Sequence, residues 1–318
     1  MTNQKKYVFI NYISRSGSTY LCDLLSRYRD ISVGIEAGFP GFPNTIMPLS
    51  RDLLHNEEEL NTYLDELFLD VRFCEWKISR EQIFNSLIKL EFPVDFKKIL
   101  TTCLDCYFGE SDDSLFRVHK SGYYLECIAD VRRLFPNGKM IFVVRDPRAI
   151  FNSQQQAKSL YSTDKMGANI FSFILLYKQR IASLKKELYA QDFLTVFYEK
   201  LIDNPDENIL EILDFIGVSN LEKKENINYR DNIPDNQKDL HTNVGSVAIK
   251  NNKQKWIEGL TKIQILLIER ALADEMNYLN YSFSSPSLKY PFEKLRFARL
   301  YSSFMFYRFK RMILSFLM

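Results

Sequence analysis

The chain has 318 residues, of which 46% are hydrophobic and 14% aromatic, so it can bury a large core as one large domain or two smaller ones. This composition excludes a disordered chain. The 42 Lys and Arg residues nearly balance 40 Asp and Glu residues, and the net charge of +2 excludes an overall field that attracts nucleic acid. Any anion that the protein binds must therefore be bound by local groups.

The first predicted elements are a buried strand over residues 7–13 and a helix over residues 19–28, joined by a tight turn. Residues 57–108 have a mostly helical period that breaks at Pro93. We interpret the region from about 45 to 115 as a helical insert that lies over a sheet.

The remainder of the chain alternates predicted strands with predicted helices. This alternation is typical of an α/β fold with a mainly parallel sheet, in which ligands bind at the carboxyl ends of strands. The elements are a strand and a helix within 117–135, a strand over 139–146, a helix from Pro147, a long helix over 171–188, a strand over 193–201 and a helix over 204–218 that ends at Gly217.

The turn after the first strand, in "SRSGSTYL", has the composition of a phosphate-binding loop. Backbone N–H groups of Ser16, Gly17, Ser18 and Thr19 would face the gap before a helix N-terminus, where anions bind well. Gly17 permits close approach of the backbone, and Arg15 adds a permanent cation. The loop lacks the lysine of a Walker A motif, which weakens an ATP-binding interpretation. The alternative is a plain tight turn with a solvated Arg15.

A second informative segment, "IFVVRDPRAIFNSQ", ends a buried strand at Arg145 and carries Ser153 about two helical turns into the next helix. An arginine at the carboxyl end of a strand is well placed to bind an anion. The alternative is that Arg145 forms a salt bridge with Asp146 or caps the helix.

Together with "VFYEKLIDNP", these segments resemble, in the same order, motifs of the sulfotransferases that use 3′-phosphoadenosine 5′-phosphosulfate (PAPS). The similarity spans about residues 7–260 and is closest in character to bacterial and carbohydrate sulfotransferases. It implies a P-loop-like, three-layer α/β fold. The cofactor-binding residues that it implies are Arg15, Ser16, Gly17, Ser18 and Thr19 for the 5′-phosphosulfate, Arg145 and Ser153 for the 3′-phosphate, Tyr198 near the adenine, and Asn243, Gly245 and Lys250 in a late loop over the nucleotide. That late loop is equally consistent with an ordinary surface loop.

The resemblance also implies a base that removes the proton of the acceptor hydroxyl. Glu36 is the first candidate, because it follows the first helix in a loop rich in Gly, Pro and Phe that could form an apolar cleft and raise its pKa. The alternative for Glu36 is a solvated loop residue. His119 is the second candidate, since "RVHKSG" lies where cytosolic members carry Lys-Thr-His, but in a different register. In the implied in-line transfer, Arg15 also has a catalytic role in stabilising developing charge.

The predicted enzyme moves a sulfuryl group from PAPS to a hydroxyl of a carbohydrate or glycolipid, leaves adenosine 3′,5′-bisphosphate (PAP), and needs no metal. A loop over residues 39–51 would help to bind the acceptor. The alternatives are an ATP-dependent small-molecule or nucleoside kinase, and a non-catalytic nucleotide-binding scaffold. We expect no nucleic-acid partner.

Residues 1–290 are predicted to form one α/β domain, followed by a basic, aromatic-rich segment over residues 291–318. That segment is either a helix packed on the domain or, over residues 292–318, a peripheral contact with a membrane. The polar residues 1–6 have no features of a secretory signal, so we expect a cytoplasmic protein, with association at the inner membrane surface as an alternative. Five cysteines favour free thiols, with a redox or zinc role for Cys103 and Cys106 as the alternative.

Overall fold

The structure of the protein is a computed structural model. It describes residues 4–36, 53–109, 111–157, 166–167, 169–187, 189–225, 229–233 and 253–317. These residues form a sheet with the strand order β2-β3-β1-β4-β5, in which β1 is parallel to β3 and to β4, and β2 is parallel to β3. The strands are β1 (Lys6–Tyr12), β2 (Ile31–Val33), β3 (Phe116–Lys120), β4 (Lys139–Val144) and β5 (Phe193–Phe197). The predicted mainly parallel α/β fold is confirmed.

Helices alternate with the strands along the chain, and most of them were predicted. The helical insert is confirmed as four helices, α2 to α5. The helices are α1 (Ser18–Ser26), α2 (Glu57–Leu67), α3 (Val71–Cys74), α4 (Arg80–Leu87), α5 (Phe96–Phe108), α6 (Ile128–Leu134), α7 (Pro147–Gln156), α8 (Ile170–Glu187), α9 (Tyr198–Asp203), α10 (Pro205–Ile216), α11 (Trp256–Gly259), α12 (Lys262–Ala271), α13 (Ala273–Tyr278) and α14 (Pro291–Leu317).

Local chemistry explains where the helices around the sheet begin and end. The Asp146 side chain accepts a hydrogen bond of 2.8 Å from the backbone N–H of Arg148, and Pro147 occupies the first turn, so α7 begins immediately after β4. Gly217 ends α10 with φ 83°, a left-handed conformation that glycine adopts without steric cost.

The apolar side chains of β1 explain why it lies at the centre of the sheet. Val8 and Ile10 are buried in a core that also contains Leu21 and Leu25 of α1 and Ile212 of α10. Burial of each such side chain contributes about 1.5–3 kcal/mol to folding. The carboxyl ends of β1 and β3 are fixed at the same edge of the sheet by this packing.

The chain divides into two compact units. The first contains Met1–Tyr12, Gly17–Val143 and Glu187–Ala248, and the second contains Ile13–Ser16, Val144–Lys186 and Ile249–Met318. The boundary at residue 290 between a single domain and a final segment stays a prediction. Within the described ranges, no helix is long and apolar enough to cross a membrane.

Candidate active site

The first unit contains the start of α1, where Gly17 and Tyr198 are in close contact. Gly17 has φ 97° and precedes the first turn of α1, which carries no acidic side chain. A Cβ atom at this position would lie 2.1 Å from Cδ2 of the buried Tyr198 ring, so only glycine fits. The first backbone N–H groups of a helix, here those of Ser18 and Thr19, lack acceptors within the helix and are suited to an anion.

Lys120 adds a cation to this group of residues. It is the last residue of β3, is paired in register with Ile10 of β1, and is buried. Its Nζ donates a hydrogen bond of 3.0 Å to Oγ1 of Thr19 and lies 5.8 Å from the centre of the Tyr12 ring. No role was predicted for Lys120 from the sequence. Its position at the carboxyl end of a buried strand is the feature that could have indicated a role in the site.

Glu36 is held by an arginine from the helical insert. The guanidinium of Arg72, in α3, donates to Oε1 of Glu36 at 3.0 Å and also lies 3.4 Å from Asp70. Burial, and then the negative charge of Glu36, raise the pKa of Tyr12 well above its usual range. An apolar cleft was predicted around Glu36. Arg72 was not predicted as its partner, because Arg72 and Glu36 are far apart in the chain.

His119 is buried beside aromatic rings. Its Nδ1 forms a hydrogen bond with the hydroxyl of Tyr124, and its ring centre lies 5.8 Å from that of Trp76. Burial, followed by the positive charges of Lys120 and Arg72, lowers the pKa of His119 to about 3. The imidazole is therefore neutral at pH 7. Adjacent residues of a strand point to opposite faces of the sheet, so His119 and Lys120 have different surroundings.

In the second unit, three predicted residues lie together. Nε of Arg15 donates to Oγ of Ser153 in α7 at 3.1 Å, and a guanidinium nitrogen of Arg145 donates to the backbone carbonyl of Arg15 at 2.8 Å. A further contact was not predicted: Nε2 of Gln154 donates to the carbonyl of Ser14 at 2.9 Å. The turn is thus held by two residues of α7 and by Arg145.

The prediction that the backbone N–H of Ser16 faces the ligand is wrong, although Ser16 does lie in the turn. That N–H donates to the carbonyl of Ile13 at 2.9 Å, since the turn closes on itself at this point. The side chain of Ser16 is fully buried, and its hydroxyl has no hydrogen-bond partner among the described residues. A buried hydroxyl of this kind can donate to an oxyanion.

A buried ionic cluster supports the start of α7. Arg148 donates to Asp146 at 2.7 Å and to Glu269 at 2.5 Å, and its guanidinium lies 4.0 Å from the centre of the Trp256 ring. Glu269 also accepts hydrogen bonds from the backbone N–H and hydroxyl of Ser284. Because Asp146 directly follows Arg145, the cluster fixes the backbone that carries Arg145.

The remaining predicted site residues cannot be located. Asn243, Gly245 and Lys250 lie outside the described residues, as does the predicted acceptor loop over residues 39–51.

Comparison with known proteins places this fold among sulfotransferases. The sulfotransferase domain of the olefin synthase from Synechococcus PCC 7002 superposes with a TM-score of 0.53 at 18% identity, over 86% of this chain and 96% of that domain. Two curated relatives are similar in sequence. A "putative protein-tyrosine sulfotransferase" of Caenorhabditis elegans is 30% identical over 31% of this chain and 39% of that protein. One from Caenorhabditis briggsae is 22% identical over 69% of this chain and 68% of that protein. The chain thus spans about two fifths of the length of the first relative.

The model of the sulfotransferase family matches residues 8–222, more than half of the sequence. The chain belongs to the sulfotransferase family. The predicted family and enzyme class are confirmed, and PAPS is the sulfuryl donor of the family that the sequence analysis identified. The bacterial or carbohydrate subtype stays a prediction.

Proposed function

We propose that this protein transfers a sulfuryl group from PAPS to an acceptor hydroxyl, with Glu36 as the general base. The observation that carries the proposal is the hydrogen bonding of Arg145 to the Arg15 backbone and of the Arg15 side chain to Ser153. These residues come from the two motifs that resemble the 5′-phosphosulfate loop and the 3′-phosphate motif. Arg145 and Arg15 are 130 residues apart in the sequence, and unrelated surface charges at that separation would not be expected to form these hydrogen bonds.

The residues present fit PAPS. Arg145 and Ser153 would bind the 3′-phosphate, and Arg15 would bind the phosphosulfate together with the N–H groups at the start of α1. Gly17 has no Cβ to obstruct the approach, and the buried Ser16 hydroxyl offers a further donor. PAPS, when bound, supplies the sulfuryl group and is converted to PAP.

The surroundings of the two candidate bases favour Glu36 over His119. Arg72 donates to Oε1 of Glu36 and orients the carboxylate, which would take the proton of the acceptor hydroxyl. His119 is a weak base, since burial and neighbouring cations lower its pKa to about 3. With PAPS bound, the transfer would form a bond between the acceptor oxygen and sulfur and break the bond between sulfur and the phosphate oxygen, while Glu36 would hold the proton of the acceptor hydroxyl. Arg15 would stabilise the charge left on that phosphate oxygen.

Two acceptor classes remain within this proposal. The sequence analysis favours a carbohydrate or glycolipid, whereas the names of the curated relatives favour a protein tyrosine. A phenol, with a pKa of about 10, loses its proton more easily than a sugar hydroxyl, so sulfuryl transfer to a phenol depends less on a base. Labelled PAPS offered with tyrosine peptides and oligosaccharides in competition would identify the class by the product that carries the sulfate.

Glu36→Gln tests the assignment of the base. We expect kcat to fall about 10²–10⁴-fold with little change in the Kd of PAP, because the amide cannot accept the proton. Transfer from labelled PAPS and calorimetric titration of PAP measure the two quantities. Glu222→Gln is the matched control, because Glu222 is paired with Arg29 at 2.9 Å but is exposed. Equal turnover in both variants would exclude Glu36 as the base.

A further inference from the structure

Within the second unit, one face of α14 packs on α8 and α12, and these contacts define the inner face of this long helix. Phe304 is 1% exposed, and its ring centre lies 5.6 Å from that of Phe171 in α8. The hydroxyl of Tyr307 is hydrogen-bonded to that of Ser172 at 2.9 Å, and the guanidinium of Arg270 in α12 lies 5.2 Å from the Tyr301 ring centre. Tyr301, Phe304 and Tyr307 are spaced three residues apart and thus mark the inner face.

The opposite face of α14 is apolar and exposed. Each residue turns an α-helix by about 100°, so Phe306 lies about 200° from Phe304. Phe309 and Ile313 follow three and seven residues after Phe306 and share its face, as does Leu295 three turns earlier. Phe306 is 70% exposed and Phe309 is 54% exposed. We call Leu295, Phe306, Phe309 and Ile313 the outer stripe.

Exposed cations occur around α14, and Arg299 and Lys310 lie nearest to the outer stripe. The helix contains six Lys or Arg residues, all exposed, against a single acidic residue, Glu293. The cations are Lys294, Arg296, Arg299, Arg308, Lys310 and Arg311. A water-facing helix normally carries polar residues on its outer face, so exposed phenylalanines among cations indicate a partner that is both apolar and negatively charged.

We propose that the outer stripe of α14 docks on a lipid bilayer that contains anionic headgroups. The apolar side chains would enter the boundary between headgroups and acyl chains, and Arg299 and Lys310, the cations nearest to them around the helix, would contact the headgroups, as in helices that lie in this boundary. A nucleic acid would satisfy the cations but leave Phe306 and Phe309 exposed. The proposal does not depend on the proposed sulfuryl transfer.

Vesicle sedimentation of the full chain tests the proposal. We expect the chain to bind vesicles of phosphatidylcholine with phosphatidylglycerol, to bind pure phosphatidylcholine more weakly, and to dissociate as salt is added. Phe306→Ser with Phe309→Ser should lower the partition coefficient at least about 10-fold, since two deeply inserted rings are lost. Arg299→Gln with Lys310→Gln should weaken binding to the anionic vesicles alone. Tyr189→Ser, which removes a ring that is 92% exposed outside α14, should change nothing.

Several results would overturn the proposal. One is the absence of vesicle binding, and another is binding that the Phe306 and Phe309 substitutions leave unchanged. Loss of a dimer in those variants, measured by light scattering, would mean that the stripe joins two copies of the chain. Equally tight binding of duplex DNA would mean that charge alone drives association. Circular dichroism and the melting temperature should match the wild type, because the altered side chains are exposed.

Discussion

At the scale of single residues, Arg145 has two functions in the proposed site. Its guanidinium donates to the backbone of Arg15 and is expected to bind the 3′-phosphate of the nucleotide. Arg145→Ala should therefore weaken binding of PAP by about 10–100-fold, the value of one to two charged hydrogen bonds. Binding of AMP, which lacks that phosphate, should change much less.

Calorimetric titration of both nucleotides tests this prediction through the ratio of their Kd values. Arg29→Ala, at an exposed arginine paired with Glu222, is the control. A variant that keeps the wild-type preference for PAP would show that another residue binds the 3′-phosphate.

Gly17 permits a second prediction at this scale. Gly17→Ala should unfold more easily than the wild type, because Ala combines the cost of a positive φ with a clash against Tyr198. Gly217→Ala is a matched control, since Gly217 has φ 83° with no atom within 4 Å of its added Cβ. We expect Gly17→Ala to lose about 1–3 kcal/mol more than the control in urea unfolding. Equal losses would mean that the Tyr198 ring moves aside.

Several site residues could be predicted from sequence because their signal is local. Arg15, Gly17 and Ser153 lie in motifs with fixed spacing, and the structure brings Arg15 and Ser153 into contact. Arg72 could not be predicted as the partner of Glu36, because their contact requires the fold of the insert. Lys120 was visible as a residue, but its contact with Thr19 depends on the register of β3 against β1.

At the scale of elements, long periodic segments were predicted well and short ones were not. The strand β1 and the helices α1, α7 and α10 follow clear apolar patterns, and prolines at the start of α7 and α10 and Gly217 at the end of α10 mark helix ends. The strand β2 has three residues, too few to show a period, and α11 to α13 were not identified. The strand predicted over 193–201 ends at Phe197, because Tyr198 begins α9.

The buried ionic cluster at the start of α7 leads to a prediction about how stability depends on pH. Burial alone would raise the pKa of Glu269, but hydrogen bonds from Ser284, Ser285 and Arg148 outweigh it and lower that pKa below its ordinary value of 4.5. A carboxyl group with a lowered pKa in the folded state stabilises the fold above about pH 4.5, and this stabilisation is lost as the pH falls through the folded value.

Glu269→Gln should therefore cost about 3 kcal/mol in the free energy of unfolding at pH 7, since Arg148 loses one of its two buried carboxylate partners and keeps only Asp146. The difference from the wild type should shrink as the pH falls below 4.5. Urea unfolding from pH 7 to below pH 4.5 measures this difference in the free energy of unfolding. Glu258→Gln, at an exposed glutamate, is the control. A difference that is independent of pH would show that the charge of Glu269 does not contribute.

At the scale of the whole molecule, the five cysteines report on global unfolding. All are free, as predicted, with Cys74 exposed and Cys22, Cys103 and Cys127 buried. Burial raises the pKa of Cys22 to about 11 and that of Cys103 well above its usual range, which keeps both as unreactive thiols.

We expect one thiol to react rapidly with Ellman's reagent in the native protein, and the buried three to react at the rate of unfolding. Cys74→Ser should remove the rapid phase. The half-buried Cys106 should react at an intermediate rate. Rapid reaction of Cys22, Cys103 or Cys127 in the native state would show that the core opens locally.

The backbone of Arg15 has a consequence for how this protein could evolve. Arg15 has φ 76°, a left-handed conformation that costs a residue with a side chain about 1–2 kcal/mol relative to glycine. Selection for stability alone would favour glycine at this position, yet only arginine supplies the guanidinium that reaches Ser153. With the proposed role of Arg15 in binding the phosphosulfate, thermostability and turnover are opposed in this turn, and a screen for heat-resistant variants would tend to recover inactive ones.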